Sequence, residues 1–477
     1  MKKQFITNLA LLIILNLLIK PIWFFGIEVG VQNQVGEEIY GFYFSLFNFA
    51  FILNMLLDVG INNYNNRAIS RDHSKLKGHL AAIIPLKLFL SIIYAGVVLV
   101  SGKVLGYDQE QFQMLWILVL NQFLASFILY FRTNISGLQL YRTDSLLSVL
   151  DRSLMILFTG LLLWGNIIQR PFQIEWFVYA QTASYTLTLL TSAGIVRIKS
   201  GSFFRFISLS ASLKILRASY PFALLIFLMA LFNRVDSVML ERLLENGQEQ
   251  AGIYAQSFRI FEAATQFSLL FAMLLLPMFS RMIQLKQDVN ELVRTALPLL
   301  LVVSISVSIG SNFYKFEIID LLYQSHTQYS SSIFGILMIG FVFVSTSYLY
   351  GTLLTANHNL RHLNIVASLT VIINIGLNLI LIPRYQVLGA AISSLVSQGF
   401  FAIVQVILSI HLLKIPANKD ILVKLLGFLS INLIVAYLSL FIPGWIPGFL
   451  VLTLSCCGSA FLLGLIKISE IKDVLEK

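Results

Sequence analysis

Ionisable side chains interrupt the long apolar stretches of this sequence. They are Asp58, Lys87, Asp151, Arg152, Arg234, Asp236, Arg259 and Glu262, with Lys20 near the end of the first stretch. A charged group in hydrocarbon is costly. Such residues therefore face protein or a wet cavity and mark ion paths or substrate paths. Arginine and lysine suit an anion. A buried Lys–Asp pair that can exchange its partner suits coupling to H⁺ or Na⁺. Spacing adds detail. Arg259 and Glu262 are three residues apart and share a helix face, whereas Arg234 and Asp236 are two apart and diverge.

The elements that carry these residues follow from composition. The chain has 477 residues, 57% hydrophobic and 12% charged, with mean hydropathy +0.83. Soluble domains average about 25% charged residues, so lipid is the expected solvent. A helical span needs roughly 20 apolar residues. Such runs fall at 5–25, 39–61, 79–101, 112–133, 143–165, 174–196, 217–242, 253–276, 293–312, 331–354, 363–383, 387–411, 421–442 and 447–467. The first is read as a span and not a cleaved leader, because Lys20-Pro21-Ile22-Trp23 replaces the small-residue cleavage site. Lys and Arg gather on one side: Arg67, Arg71, Lys75 and Lys77 after span 2, then Arg197, Lys199, Arg205, Lys214 and Arg217 after span 6. The positive-inside rule places both termini in the cytoplasm. Glu28, Glu37 and Glu38 are expected outside. The net charge of +10 is thus a topology signal and does not suggest nucleic-acid binding.

Other chemistries are disfavoured. No G-x-x-x-x-G-K-[ST] loop is present, so the chain is not expected to hydrolyse ATP. The outer loops are too short for the catalytic groups of a membrane glycan polymerase or ligase. Cys456 and Cys457 are adjacent and read as core residues. His358 and His362 lie four apart without an acidic neighbour, so no metal site is expected. No cofactor is expected beyond possible H⁺ or Na⁺ coupling.

Depth along the helices sorts the embedded charges. Arg234 and Arg259 fall roughly 9–12 Å below the outer surface at 1.5 Å per residue. They are candidates to line a cavity and contact an anion, and Arg259 can instead be neutralised by Glu262 and be structural. Lys87, Asp151 and Arg152 share a depth in the inner half, which predicts a Lys87–Asp151 pair, either structural or coupling. Asp58 and Arg67 flank the inner end of span 2, where they fix a helix end or form a cytoplasmic gate. Asn374 and Asn378 share a face of span 11 and are expected to pack more than to touch substrate.

The chain also repeats itself. Glu38-Ile-Tyr-Gly41-Phe-Tyr43 opens span 2, and Glu249-Gln-Ala-Gly252-Ile-Tyr254 opens span 8. Ser70-Arg71 answers Ser280-Arg281, Pro85 answers Pro298, and Leu129-Tyr130 answers Leu349-Tyr350. The offset corresponds to six spans, an even number, so the copies are parallel repeats. The expected fold is all-α: a polytopic membrane protein of 14 transmembrane helices in two six-helix lobes plus two C-terminal helices. The divisions are 1–196 (spans 1–6), 197–411 (spans 7–12) and 412–477 (spans 13–14 and a cytoplasmic tail). Two such lobes around a midplane site suit a secondary transporter.

Particular residues carry a family resemblance. Leu57-Asp58-Val59-Gly60-Ile61 followed by Arg67-Ala68-Ile69, Asp236 followed by Ala251-Gly252-Ile253-Tyr254-Ala255-Gln256, and Asn374-Ile-Gly-Leu-Asn378 through Pro383 to Gly389-Ala390-Ala391-Ile392 resemble the signatures of bacterial polysaccharide flippases. These belong to the multidrug/oligosaccharidyl-lipid/polysaccharide exporter superfamily, which also includes lipid II flippases and cation-coupled drug exporters. The resemblance implies a cargo of undecaprenyl-diphosphate-linked oligosaccharide, such as an O-antigen (lipopolysaccharide) or capsule repeat unit. It implies the bacterial inner membrane as location. The cargo, the bilayer and other polysaccharide-assembly membrane proteins are the implied partners, with the chain itself a monomer. Lipid II flippases carry cavity arginines on spans including 1, 2 and 8. Arg259 falls on the matching span 8 and Lys20 is the basic residue of span 1, but span 2 has Asn48 where an arginine is expected. A drug exporter with cationic substrates would favour an acidic cavity, which the basic set disfavours.

Overall fold

The computed structural model describes residues 14–16, 18–165, 170–200, 209–415 and 418–466, and of residues 63 and 209–221 the backbone alone. The described residues form helices and no strand. In chain order they are α1 (Val29–Ile52), α2 (Ile61–Arg71), α3 (Leu76–Val104), α4 (Gln109–Gly137), α5 (Tyr141–Trp164), α6 (Ile174–Ser200), α7 (Leu209–Leu243), α8 (Gly247–Gln284), α9 (Asn290–Phe313), α10 (Lys315–Leu322), α11 (Thr327–Ala356), α12 (Leu360–Leu413), α13 (Lys419–Ser439) and α14 (Trp445–Leu462).

Eleven stretches of described residues are long and apolar enough to cross a membrane. Two of these are double crossings. The stretch 14–57 turns at Gly36 (φ 80°, ψ 172°). α12 has 54 residues, about 80 Å of helix against a hydrocarbon core of about 30 Å, and breaks at Gln386 (φ 52°, ψ −129°). α6 supplies one more crossing. Its buried face holds Gln181, Ser184, Thr188 and Ser192, while Tyr179 and Leu190 point outward. That inward polar stripe lowers its mean hydropathy without exposing polar groups to lipid. The total is the expected fourteen transmembrane helices. Large aliphatic side chains such as Ile92, Val104, Ile198 and Leu462 lie exposed along the outer faces, as a lipid solvent permits.

One boundary differs from expectation. The first helix does not stop near residue 25. It continues through a π-helical run, Ile22–Glu28, directly after Pro21, and reaches Gly36. Proline has no N–H to donate and crowds the preceding turn, a common cause of such local rewinding. Glu28, expected in an outer loop, is instead a buried helical residue. Pro85 and Pro298 lie inside α3 and α9, beyond their first turns.

The chain divides into two compact units, Met1–Gly252 and Ile253–Lys477, with the boundary inside α8. In the first, α4 packs on α6, α1 on α7, α5 on α6, and α2 on α4. Its core joins Ile69, Leu80, Ile83, Phe127, Tyr130, Ile135 and Leu147. In the second, α12 packs on α11 and α11 on α9. The final pair, α13 and α14, packs on itself and on α9 through Val302, Ile309, Phe428, Ala436 and Leu452. Polar bonds reinforce that attachment: the Tyr314 and Ser439 hydroxyls lie 2.6 Å apart, and the Asn432 amide donates to Ser459 Oγ at 2.9 Å.

Candidate functional site

The embedded charges of the first unit separate into three networks. One is built on a break in the helix after α1. Residues Leu53–Leu57 tighten into a 3₁₀ turn, Val59 (φ 43°) and Gly60 (φ 78°) take left-handed conformations, and α2 starts at Ile61. A break within lipid frees carbonyls that must find donors. Lys87 of α3 supplies one. Its Nζ donates to the Leu57 carbonyl oxygen and to Ser126 Oγ, each at 2.8 Å. The same ammonium lies 3.5 Å from Asp58 Oδ1 and within 6 Å of the Phe127 and Tyr130 rings. Asp58 also accepts from the Asn62 backbone N–H at 3.2 Å and so caps α2.

This arrangement corrects the expected Lys87–Asp151 pair. Counting residues along an unbroken helix put Lys87 level with span 5. The break instead turns the Asp58 carboxylate toward Lys87, and a local partner wins. Arg67 lies exposed on α2.

Asp151 and Arg152 form a second network. Arg152 Nε is 3.8 Å from Asp151 Oδ2, and its guanidinium sits 5.1 Å over the Trp23 ring. Trp23 stacks on Phe177 at 5.8 Å, and Tyr43 meets Phe177 edge-on at 5.4 Å. Glu28 also acts electrostatically on Arg152 and accepts a short hydrogen bond from the Tyr40 hydroxyl. Glu28 falls in the expected loop at 26–38, and Tyr40 enters the sequence reading only as part of the repeat motif that opens span 2; the structure joins the two.

The third network holds Arg234 on α7. Its Nη1 donates to Asn48 Oδ1 at 2.7 Å, and its guanidinium lies 4.1 Å from the Phe51 ring centroid. Asn48 is buried and donates in turn to Ser237 Oγ at 2.8 Å. An amide carbonyl and a ring face orient the guanidinium. Asp236, two residues on, is fully buried. Asn48, which stands where span 2 lacks an arginine, is thus the residue that positions one from α7.

In the second unit, Arg259 and Glu262 form an ion pair at 3.0 Å along α8, with Arg259 almost wholly buried. Asn378 Nδ2 donates to Asn374 Oδ1 at 3.2 Å, and both residues are fully buried on α12. The amides therefore bond along one helix. Lys20, in the first helical stretch, is half-buried. Among the described residues no group of three or more His, Cys, Asp or Glu could hold a metal ion.

A family model described as "polysaccharide biosynthesis protein" matches residues 5–283. The chain belongs to the polysaccharide biosynthesis protein family. The match takes in Lys20, Asp58, Lys87, Arg152, Arg234 and Arg259, and ends before Asn374 and Asn378.

Solved structures show the fold of this family member. It is similar to the lipid II flippase MurJ in an inward closed conformation, with TM-score 0.71, 15% identity, and coverage of 95% of this chain and 98% of that one. An inward-facing multidrug resistance MATE family transporter of the MOP superfamily gives TM-score 0.64 at 16% identity, covering 85% of this chain and 99% of the other. A MOP superfamily transporter from Pyrococcus furiosus, described as having a binding pocket of reverse polarity, gives 0.60 at 17%, covering 85% and 94%. No curated protein matches the chain. The protein is therefore a multi-pass membrane protein with the fold of a transporter.

Proposed function

We propose that this protein flips a lipid-linked oligosaccharide, an undecaprenyl-diphosphate-linked O-antigen or capsule repeat unit. It moves the cargo from the cytoplasmic to the periplasmic leaflet of the bacterial inner membrane by alternating access. Both termini are cytoplasmic in this reading, and the protein carries its cargo without transforming it. The observation that carries the proposal is Arg234, a membrane-embedded guanidinium aligned by Asn48 and Phe51 in a chain of the polysaccharide biosynthesis family. Arg259 is the second anion contact, tuned by Glu262, and Lys20 is the third.

The physics fits that cargo. Burying one unpaired hydroxyl costs roughly 2–7 kcal/mol, so a sugar headgroup needs a polar path. The diphosphate needs fixed cations, and arginine binds phosphate oxygens in a fork. An inside-negative potential favours outward movement of an anion by about 2.3 kcal/mol per charge per 100 mV.

Deleting the gene in its host should leave lipid-linked repeat units on the cytoplasmic face. The wild-type gene should restore surface glycan, and Arg234→Ala at equal membrane abundance should not. Full restoration by Arg234→Ala would remove the anion-binding role. Accumulation of lipid II in place of repeat units would redirect the cargo to cell-wall precursor.

A further inference from the structure

The first unit carries a second basic site, at one end of its helices and separate from the charge networks above. It is a cavity of about 370 Å³ where four helix ends converge. The turn His73–Lys75 and the start of α3 contribute His73 and Lys77. The α4–α5 turn contributes Leu138 and Leu140, and the end of α6 contributes Lys199 and Ser200. The volume lies in the range of small-molecule sites.

Charge makes the cavity selective. His73, Lys77 and Lys199 are exposed, and none is ion-paired among the described residues. The nearby carboxylate is Asp72, which is already engaged. It accepts from the Ser74 backbone N–H at 3.1 Å and from the Ser74 hydroxyl at 2.6 Å, and it lies 3.8 Å from Lys75. Those hydrogen bonds hold its carboxyl below the usual range, so it stays anionic and bound within its own turn. The first turn of α3 adds backbone N–H groups at the positive end of the helix dipole. Arg197 and Lys199 in the last turn of α6 offset that helix's carbonyl end.

The leucines decide between ligands. Leu76, Leu138 and Leu140 line the same cavity as the lysines and continue into the hydrophobic core of the unit, so polar and apolar groups meet there. A ligand matching both has a phosphate and an attached hydrocarbon. Basic pockets between helices on the cytoplasmic side are a known way to hold lipid headgroups. The positive-inside pattern puts this end in the cytoplasm.

We infer that the His73–Lys77–Lys199 cavity binds a phosphate anion, presented by a lipid of the cytoplasmic leaflet. Binding there is independent of the cargo proposed above and is read without transport. The test is native mass spectrometry of the purified full chain. The probes are phosphatidylglycerol, diacylglycerol with the same chains, and inorganic phosphate. Wild type should retain phosphatidylglycerol over diacylglycerol. Lys77→Gln with Lys199→Gln should weaken that retention by about thirtyfold, at roughly 1 kcal/mol per lysine near an anionic lipid surface. Lys77→Arg with Lys199→Arg should keep it, which shows that the fold tolerates change there. Millimolar inorganic phosphate that fails to compete identifies the lipid as source. Phosphate that competes, with the same loss in the Gln variant, identifies a soluble phosphate at the same site. Equal phosphatidylglycerol binding by wild type and a folded Gln variant would overturn the inference.

Discussion

Lys87 and Asp58 meet 3.5 Å apart at the point where the second transmembrane helix breaks. The lysine does two tasks at once. It donates to the Leu57 carbonyl that the break exposes, and it balances the carboxylate that caps the next helix. Lys87 is fully buried and Asp58 is partly exposed, so the loss of about 3–5 kcal/mol for breaking a fully buried pair is an upper bound. Lys87→Met should therefore lower the unfolding midpoint in detergent sharply. Asp58→Asn alone should also destabilise. The double variant should be milder than the sum, because neither charge is then left behind. Additive losses would show that the two do not interact.

Gly41 and Gly252, the paired glycines of the internal repeat, pack backbone against backbone. A Cβ on Gly41 would overlap the Gln248 carbonyl oxygen, and one on Gly252 would overlap the Glu37 carbonyl oxygen. Gln32 Nε2 donates to the Gly252 carbonyl at 2.8 Å and fastens the contact. Close backbone approach through small residues is a principal source of helix association in lipid. Gly41→Ala and Gly252→Ala should each cost about 1–3 kcal/mol or more through overpacking. Gly96→Ala on α3, where a Cβ meets nothing within 4 Å, should be neutral or slightly stabilising. Thermal unfolding of the three variants side by side checks this.

The sequence made some of this legible and hid the rest. Fourteen spans could be read because each hydrophobic run is about as long as the bilayer is thick. Arg259 and Glu262 could be paired because both lie in uninterrupted helix, where three residues mean one face. Lys87 could not be paired correctly, because Val59 and Gly60 take left-handed backbone that no periodicity records. Glu28 was hidden for a similar reason: the helix rewinds after Pro21 and continues to Gly36. Asn48 looked like a missing arginine, and only the fold shows it holding Arg234.

Asn48 then becomes a test of positioning. Asn48→Ala removes the acceptor for Arg234 and the donor to Ser237 but leaves the guanidinium. Transport should fall less than for Arg234→Ala, with the loss chiefly in apparent cargo affinity. Asn48→Asp would pair the arginine with a full charge. It should impair transport more than Asn48→Ala if Arg234 must be available to an anion. Transport rates over a range of cargo concentrations separate these outcomes.

Arg259 can be separated from its structural role in the same way. Arg259→Ala leaves Glu262 half-buried without its 3.0 Å partner, so a defect there does not by itself show anion binding. Arg259→Ala with Glu262→Ala removes both charges of the pair. A purely structural pair predicts recovered stability and recovered transport. Contact with the cargo predicts recovered stability, read as unfolding midpoint, with transport still reduced at least tenfold, about 1.4 kcal/mol of lost interaction.

In the proposed function, a membrane-embedded cationic site moves a diphosphate-linked glycan across the bilayer. The most direct measurement is flipping in proteoliposomes loaded with an undecaprenyl-diphosphate oligosaccharide on one leaflet, read by an impermeant reagent that modifies the sugar. Wild-type protein should deliver cargo to the opposite leaflet faster under an inside-negative potential, and Arg234→Ala should abolish that delivery. Equal delivery by wild type and Arg234→Ala, or none by wild type with this cargo, would rule out an Arg234-dependent flippase of this glycan.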